Sequence, residues 1–125
     1  NYAYIGGRSE ELDAYILKAY DMEGNHLLTF GEKGKDGDDW LAYVSQIMEI
    51  PEGFFGIDSN MRDLYIWGPD ASVLGSVEAP DLFGAGYAWI AGAAKQDDGS
   101  ILVALTQDRD DDSATELLLY RLSGF

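Results

Sequence analysis

Apolar residues in this chain come in short runs, most of them four to eight residues long and separated by polar breaks. The runs are Tyr2–Ile5, Ala14–Tyr20, His26–Phe30, Leu41–Ile50, Gly53–Ile57, Asp63–Trp67, Ser72–Val77, Tyr87–Ala94, Ser100–Thr106 and Glu116–Leu122. They are rich in Tyr, Ile, Val, Leu, Phe and Trp, so length and composition both predict β-strands. The breaks carry turn chemistry: Glu23-Gly24-Asn25, Pro51-Glu52-Gly53, Asp58-Ser59-Asn60, Gly68-Pro69-Asp70 and Asp97-Asp98-Gly99. These residues either tolerate positive φ or hydrogen-bond their own backbone. The spacing suits hairpins joined in series. Leu12, Tyr15, Ile16 and Ala19 also have helical spacing. However, Tyr15-Ile16-Leu17, a turn at 21–25 and then Leu27–Phe30 read better as a hairpin.

Two runs stand apart. Ile101-Leu102-Val103-Ala104-Leu105 is apolar at every position, which predicts burial on both faces. Tyr87–Ala94 is apolar but built largely of Ala and Gly, which suits a strand where space narrows, as near a central axis.

The chain also resembles itself. Leu41–Ile47, Pro51-Glu52-Gly53 and Phe55-Gly56-Ile57 form a pattern that Tyr87–Ala93, Asp97-Asp98-Gly99 and Ile101-Leu102-Val103 repeat at an offset of 46. At an offset of 49, Tyr15–Asp21 falls on Leu64–Asp70, and Leu117–Tyr120 fills the same slot again. A period in the mid-forties carrying four short antiparallel strands is that of a β-propeller blade. With strands labelled a to d outward from the axis, the chain reads b-c-d, a-b-c-d, a-b-c. The expected fold is therefore all-β and propeller-like, a single domain of about three blades at 1–37, 38–82 and 83–125. A β-sandwich or barrel of about ten strands is the alternative. Closed propellers have about four to eight blades. Either a second copy completes a six-bladed ring as a two-fold homodimer, or the sequence is part of a longer parent.

Tyr20-Asp21-Met22-Glu23-Gly24-Asn25-His26-Leu27-Leu28-Thr29-Phe30-Gly31-Glu32-Lys33-Gly34 resembles the F/Y-D-x-x-G-x-x-L-x-x-F-G-x-x-G segment of NHL-like and related six-bladed propellers, many of them bacterial secreted proteins or lipoproteins. The resemblance spans about 15 residues and is looser elsewhere; Gly68–Leu74 departs from it in lacking the turn glycine. It implies a fold and an extracytoplasmic setting, periplasmic or cell-surface, and no particular chemistry, because propellers host unrelated functions.

Charge narrows the partners. The chain carries 23 acidic and 8 basic residues, a net charge of −15. Such a surface repels phosphate backbones, and the basic residues are scattered, so nucleic acid is not an expected partner. Anionic membrane surfaces are disfavoured for the same reason, and no apolar run approaches the ~20 residues that span a bilayer. A cation or a basic partner fits the charge. There is no cysteine, hence no disulfide and no thiolate metal site.

Candidate chemistry is sparse. His26, the only histidine, follows a turn and leads an outer strand, so it reads as a solvated hairpin residue. Asp108-Arg109-Asp110-Asp111-Asp112-Ser113-Ala114-Thr115-Glu116 begins like a calcium loop. Yet Ser113 stands where the turn glycine belongs, and Leu119 stands where a bidentate Glu should close it. It reads better as a solvated acidic hairpin loop, and Lys35–Asp39 is a weaker version. Gly31–Gly37 lacks the ending of a phosphate loop and reads as an inter-blade connection, as does Gly84-Ala85-Gly86. Trp40, Tyr43, Trp67, Tyr87 and Trp89 could line a sugar- or peptide-binding surface, although core packing is the commoner role. No residue is assigned as catalytic, ligand-binding or metal-ligating, and no cofactor is expected, with calcium the one candidate kept.

The expected function is a non-catalytic binding or interaction module on propeller blades, its ligand a protein or small molecule. A hydrolase or lyase of the propeller type, using carboxylates with a divalent cation, is the alternative. A purely structural piece of a larger secreted protein is the third.

Overall fold

The structure, a computed structural model, describes residues 2–34, 40–60, 63–84, 87–108 and 115–123. It is all-β apart from one short helix. Ten strands form in chain order: β1 (Ala3–Ser9), β2 (Ala14–Tyr20), β3 (His26–Phe30), β4 (Val44–Ile50), β5 (Gly53–Asp58), β6 (Asp63–Trp67), β7 (Val73–Glu78), β8 (Tyr87–Lys95), β9 (Ile101–Asp108) and β10 (Thr115–Leu122). Helix α1 (Ala79–Phe83) separates β7 from β8. The strands make three open sheets, ordered β1-β2-β3, β4-β5-β6-β7 and β8-β9-β10. Every sheet is made of consecutive strands, as hairpins in series require. The contacts divide the chain into two compact units, 1–76 and 77–125.

Three hairpins share one turn. Asp21 N–H donates to Asn25 O at 3.0 Å and Gly24 N–H to Asp21 O at 3.1 Å. The same pair of bonds links Gly68 to Ser72 and Ala71 to Gly68, and again Gln96 to Ser100 and Gly99 to Gln96. The fourth residue is left-handed each time: Gly24 at φ 90°, Ala71 at φ 66° and Gly99 at φ 86°. This is a type I turn closed by a left-handed residue, the common three-residue hairpin loop. An aspartate braces each. Asp21 accepts from the backbone of Glu23 and Asn25 at 2.9 Å. Asp70 accepts from the Ser72 hydroxyl, and Asp98 from the Ser100 hydroxyl, both at 2.6 Å. Hydrogen bonds to the ionised form hold all three carboxyls below the ordinary carboxylate pKa of 3.8. Their bracing is complete above that value and lost as pH falls through the lower folded-state values. The turn aligns Asp21 with Gly68, whereas the sequence repeat aligned it with Asp70.

In the first unit, the core joins Leu17, Ala19 and Phe30 of the first sheet to Phe54, Tyr65 and Trp67 of the second, with Leu41 and Ala71 from the connections. Phe30 meets Phe54 edge-on at 5.1 Å and Trp67 at 4.9 Å. Tyr65 stacks on Trp67 at 5.1 Å with 7° between their planes. Such pairs add about 0.5–1.5 kcal/mol each beyond the area they bury. A Cβ at Gly56 would collide with the Trp67 ring, so the absence of a side chain there makes room for the indole. β5 is buried from Phe54 through Asp58. It is the strand covered on both faces.

Several local expectations need correction. β1 runs on through Gly6 and Gly7 to Ser9, with Ala3 opposite Tyr20 and Ser9 opposite Ala14. The glycine at position 6 leaves space for the Tyr15 hydroxyl, which a Cβ would strike. β4 begins at Val44, and Leu41–Tyr43 is a connection. β9 alternates: Ile101, Val103 and Leu105 are fully buried, whereas Leu102 and Ala104 are only half-buried. On β8, Ala91 and Ala94 are exposed, and the pairing with β9 is interrupted by irregularities between Tyr87 and Trp89 and between Ile90 and Gly92. Helix α1 went unforeseen because five residues are too few for a helical period. Its local signal was Pro80 in the first turn, where a missing N–H costs nothing. In the second unit its Phe83 packs against Tyr120 of β10 at 5.0 Å.

Tyr4 carries a testable oddity. Its hydroxyl is buried with no hydrogen-bond partner. Burial, with Glu49 and Tyr2 nearby, pushes its pKa from 10.0 up to about 12. The fold therefore favours the neutral phenol. That contribution is complete below pH 10 and is lost as pH rises through about 12. Tyr4→Phe removes an unpaired hydroxyl, so at pH 7 it raises stability by about 1 kcal/mol. It also removes a tyrosine step near pH 12 from an ultraviolet titration. A loss of stability in the variant would show that the hydroxyl is partnered after all.

Candidate functional site

The aromatic residues singled out from sequence separate into different roles. Trp67 is 0% exposed and belongs to the core, so it lines no surface. Trp40 and Tyr43 are 40% and 51% exposed. The side chains of Tyr87 and Trp89 lie outside the described residues. The candidate site is therefore the stretch that leads into β4, in the first unit.

Its backbone is held by Asp58, a fully buried carboxylate at the end of β5. Ala42 N–H donates to its Oδ2 at 2.6 Å, and Tyr43 and Asn60 N–H donate to its Oδ1, each at 3.1 Å. Burying a carboxylate is costly unless donors replace its water, and here three backbone amides do so. Ser59 N–H donates to Tyr43 O at 3.0 Å, which closes the connection from its other side. The β4–β5 pairing slips between Val44 and Gln46, so Ser45 occupies a bulge. There its hydroxyl forms a short hydrogen bond with that of Ser59. Bulges re-aim side chains in this way. The Tyr65 hydroxyl donates to Trp40 O at 3.4 Å.

The first sheet supplies the third ring. Tyr15 forms an isolated antiparallel bridge with Leu41, in the connection before β4. Its ring meets Tyr43 at 6.2 Å with 66° between the planes, so face and edge form a corner. Burial is the main cause of a raised Tyr15 pKa, with Tyr43 and Asp58 adding to it and a backbone hydrogen bond at Val44 opposing it. Tyr15 therefore stays neutral at physiological pH. The result is a Tyr15–Tyr43 ring pair beside a backbone that Asp58 fixes at Ala42 and Tyr43, with Tyr43 and, three residues earlier, Trp40 exposed. Sequence reasoning named Trp40 and Tyr43 but missed Tyr15 and Asp58. The signal for Asp58 was an aspartate heading a turn, which looked like turn chemistry alone.

The remaining candidates stay apart from this site. His26 is exposed on β3, as expected, with Nε2 at 3.0 Å from Leu28 O and 2.9 Å from Thr29 Oγ1. The carbonyl only accepts, so Nε2 carries a proton. Its ring rests on Tyr20 at 5.5 Å. Most of the Asp108–Glu116 run, with Lys35–Asp39 and Ala85-Gly86, lies outside the described residues. Among the described residues no group of three or more His, Cys, Asp or Glu could hold a metal ion. No described helix is long and apolar enough to cross a membrane.

No protein-family model matches the chain, and no curated protein is significantly similar to it.

Proposed function

We propose that the protein is a non-catalytic binding module built on β-propeller blades, with Trp40 and Tyr43 at its recognition surface. The observation that carries this is a pair of large aromatic rings left exposed on a backbone that a buried carboxylate holds in place. Exposed apolar patches mark interaction surfaces more often than chance. A surface of this kind works best when its backbone is fixed beforehand, because less order is then lost on binding. Propeller blades are the reading that best fits three sheets of consecutive antiparallel strands, a sequence period in the mid-forties and a repeated hairpin turn. On the same reading, two copies complete a six-bladed ring.

The test separates recognition from folding. Replacing both Trp40 and Tyr43 by Leu keeps apolar bulk and removes the rings. The double variant is expected to lose no more than about 1 kcal/mol, the worth of the Tyr15–Tyr43 ring pair it gives up. Urea unfolding followed by circular dichroism measures this. A loss well above 1 kcal/mol would show that the rings serve the fold and would sink the proposal.

A further inference from the structure

We infer that the corner formed by Tyr15 and Tyr43 receives a cationic side chain, a guanidinium or an ammonium, from a basic protein partner. The inference rests on the binding reading above and names its ligand class.

Three observations carry it. The first is geometry. The 66° tilt and 6.2 Å separation of Tyr15 and Tyr43 make a corner, and a corner grips a compact group. A flat ligand such as a sugar ring would stack better on coplanar faces. A cation over an aromatic face within about 6 Å is attracted by the ring quadrupole, most strongly by Trp and then by Tyr. The second is charge. With 23 acidic residues against 8 basic ones, the field of the molecule concentrates cations at its surface and turns anionic ligands away. The third is the chemistry within the site. Its carboxylate, Asp58, is already engaged by three backbone amides. Among the described residues of the corner, the rings are then the groups left to meet the cation.

The experiment uses the full chain and two synthetic octapeptides. One alternates Gly with Arg, and the other replaces every Arg by citrulline, which keeps shape and hydrogen-bonding groups but has no charge. Binding is measured by calorimetry in about 0.5 M salt, where loose ionic attraction is screened to a Debye length of roughly 4 Å. The Arg peptide is expected to bind at least tenfold more tightly than the citrulline peptide. Tyr43→Leu and Tyr15→Leu should each weaken it by roughly three- to thirtyfold, and Tyr43→Phe, which keeps a π face, should retain most of the affinity. Circular dichroism confirms that each variant is folded. Equal binding of both peptides, still lost in the Leu variants, would overturn the cation while leaving the aromatic surface as a binding site. Binding of the Arg peptide that the Leu variants leave unchanged would overturn both readings, as would no binding of either peptide.

Discussion

Trp67→Ala lowers the stability of the first unit by about 4 kcal/mol, the largest effect expected of any single substitution here. The indole is fully buried, stacked on Tyr65 at 5.1 Å and met edge-on by Phe30 at 4.9 Å. Its removal takes away the contacts that join the first two sheets and leaves a cavity that rigid strands cannot close. Domains are stable by only about 5–15 kcal/mol, so outright unfolding of the unit at 25 °C would meet the expectation too. Urea unfolding followed by far-ultraviolet circular dichroism reads the change. Gly56→Ala supplies an independent check. The new methyl collides with the same ring, and overpacking of this kind costs about 1–3 kcal/mol. Once Trp67 is Ala the collision is gone, so the double variant should lose clearly less than the two single losses combined. A Trp67→Ala loss below 1 kcal/mol, or strict additivity, would contradict this account of the core.

The second large effect is expected at Asp58. Asp58→Ala leaves the Ala42, Tyr43 and Asn60 amides without their acceptor. Hydrogen bonds to an ionised group are worth about 1.5–3 kcal/mol each, and an amide left buried and unpaired costs about 1–3 kcal/mol. Water reaching the loop recovers part of this, so the net loss is about 3 kcal/mol. Asp58→Asn keeps an oxygen for the Tyr43 and Asn60 amides but turns an NH2 group toward Ala42. It should therefore lose roughly half as much. The decisive readout is local. Amide hydrogen exchange at Ala42 and Tyr43 should accelerate by more than tenfold in Asp58→Ala while Val103 and Leu105, in the other unit, are unaffected. Unchanged exchange at Ala42 would show that Asp58 does not hold this loop. Because the same amides place Tyr43, the variant should also bind the Arg peptide more weakly than the parent. Tyr43→Leu weakens it too, but by removing the ring while leaving the backbone in place.

Trp67 and Asp58 belong to one physical arrangement. Trp67 fastens the sheets together through apolar contact, and Asp58 fastens the loop beside them through charge-assisted hydrogen bonds. Tyr15 belongs to both. It projects from the core-facing side of β2 and ends beside Tyr43, so the recognition surface is a continuation of the core to its exposed rim.

Much of the architecture was legible in the residues. The ten strands follow from short Val-, Ile-, Tyr- and Phe-rich runs, and their hairpin pairing follows from turns such as Asp21–Asn25 and Gln96–Ser100. Strand preference and turn chemistry act between residues close in sequence, so they survive in a one-dimensional reading. The net charge of −15 and the partner classes it disfavours are likewise properties of composition alone. What the residues could not disclose was which apolar groups face a neighbour and which face water. Trp67 and Trp40 were both candidates for a binding surface, yet one is wholly buried and the other is 40% exposed. The difference is that Phe30, 37 residues before Trp67 in the chain, comes to rest against its ring. Asp58 looked like one more turn aspartate until the loop from Leu41 to Tyr43 was laid against it. Burial and charge pairing depend on contacts between residues far apart in sequence. The tertiary structure therefore decided where the core ends and where its aromatic rim meets solvent.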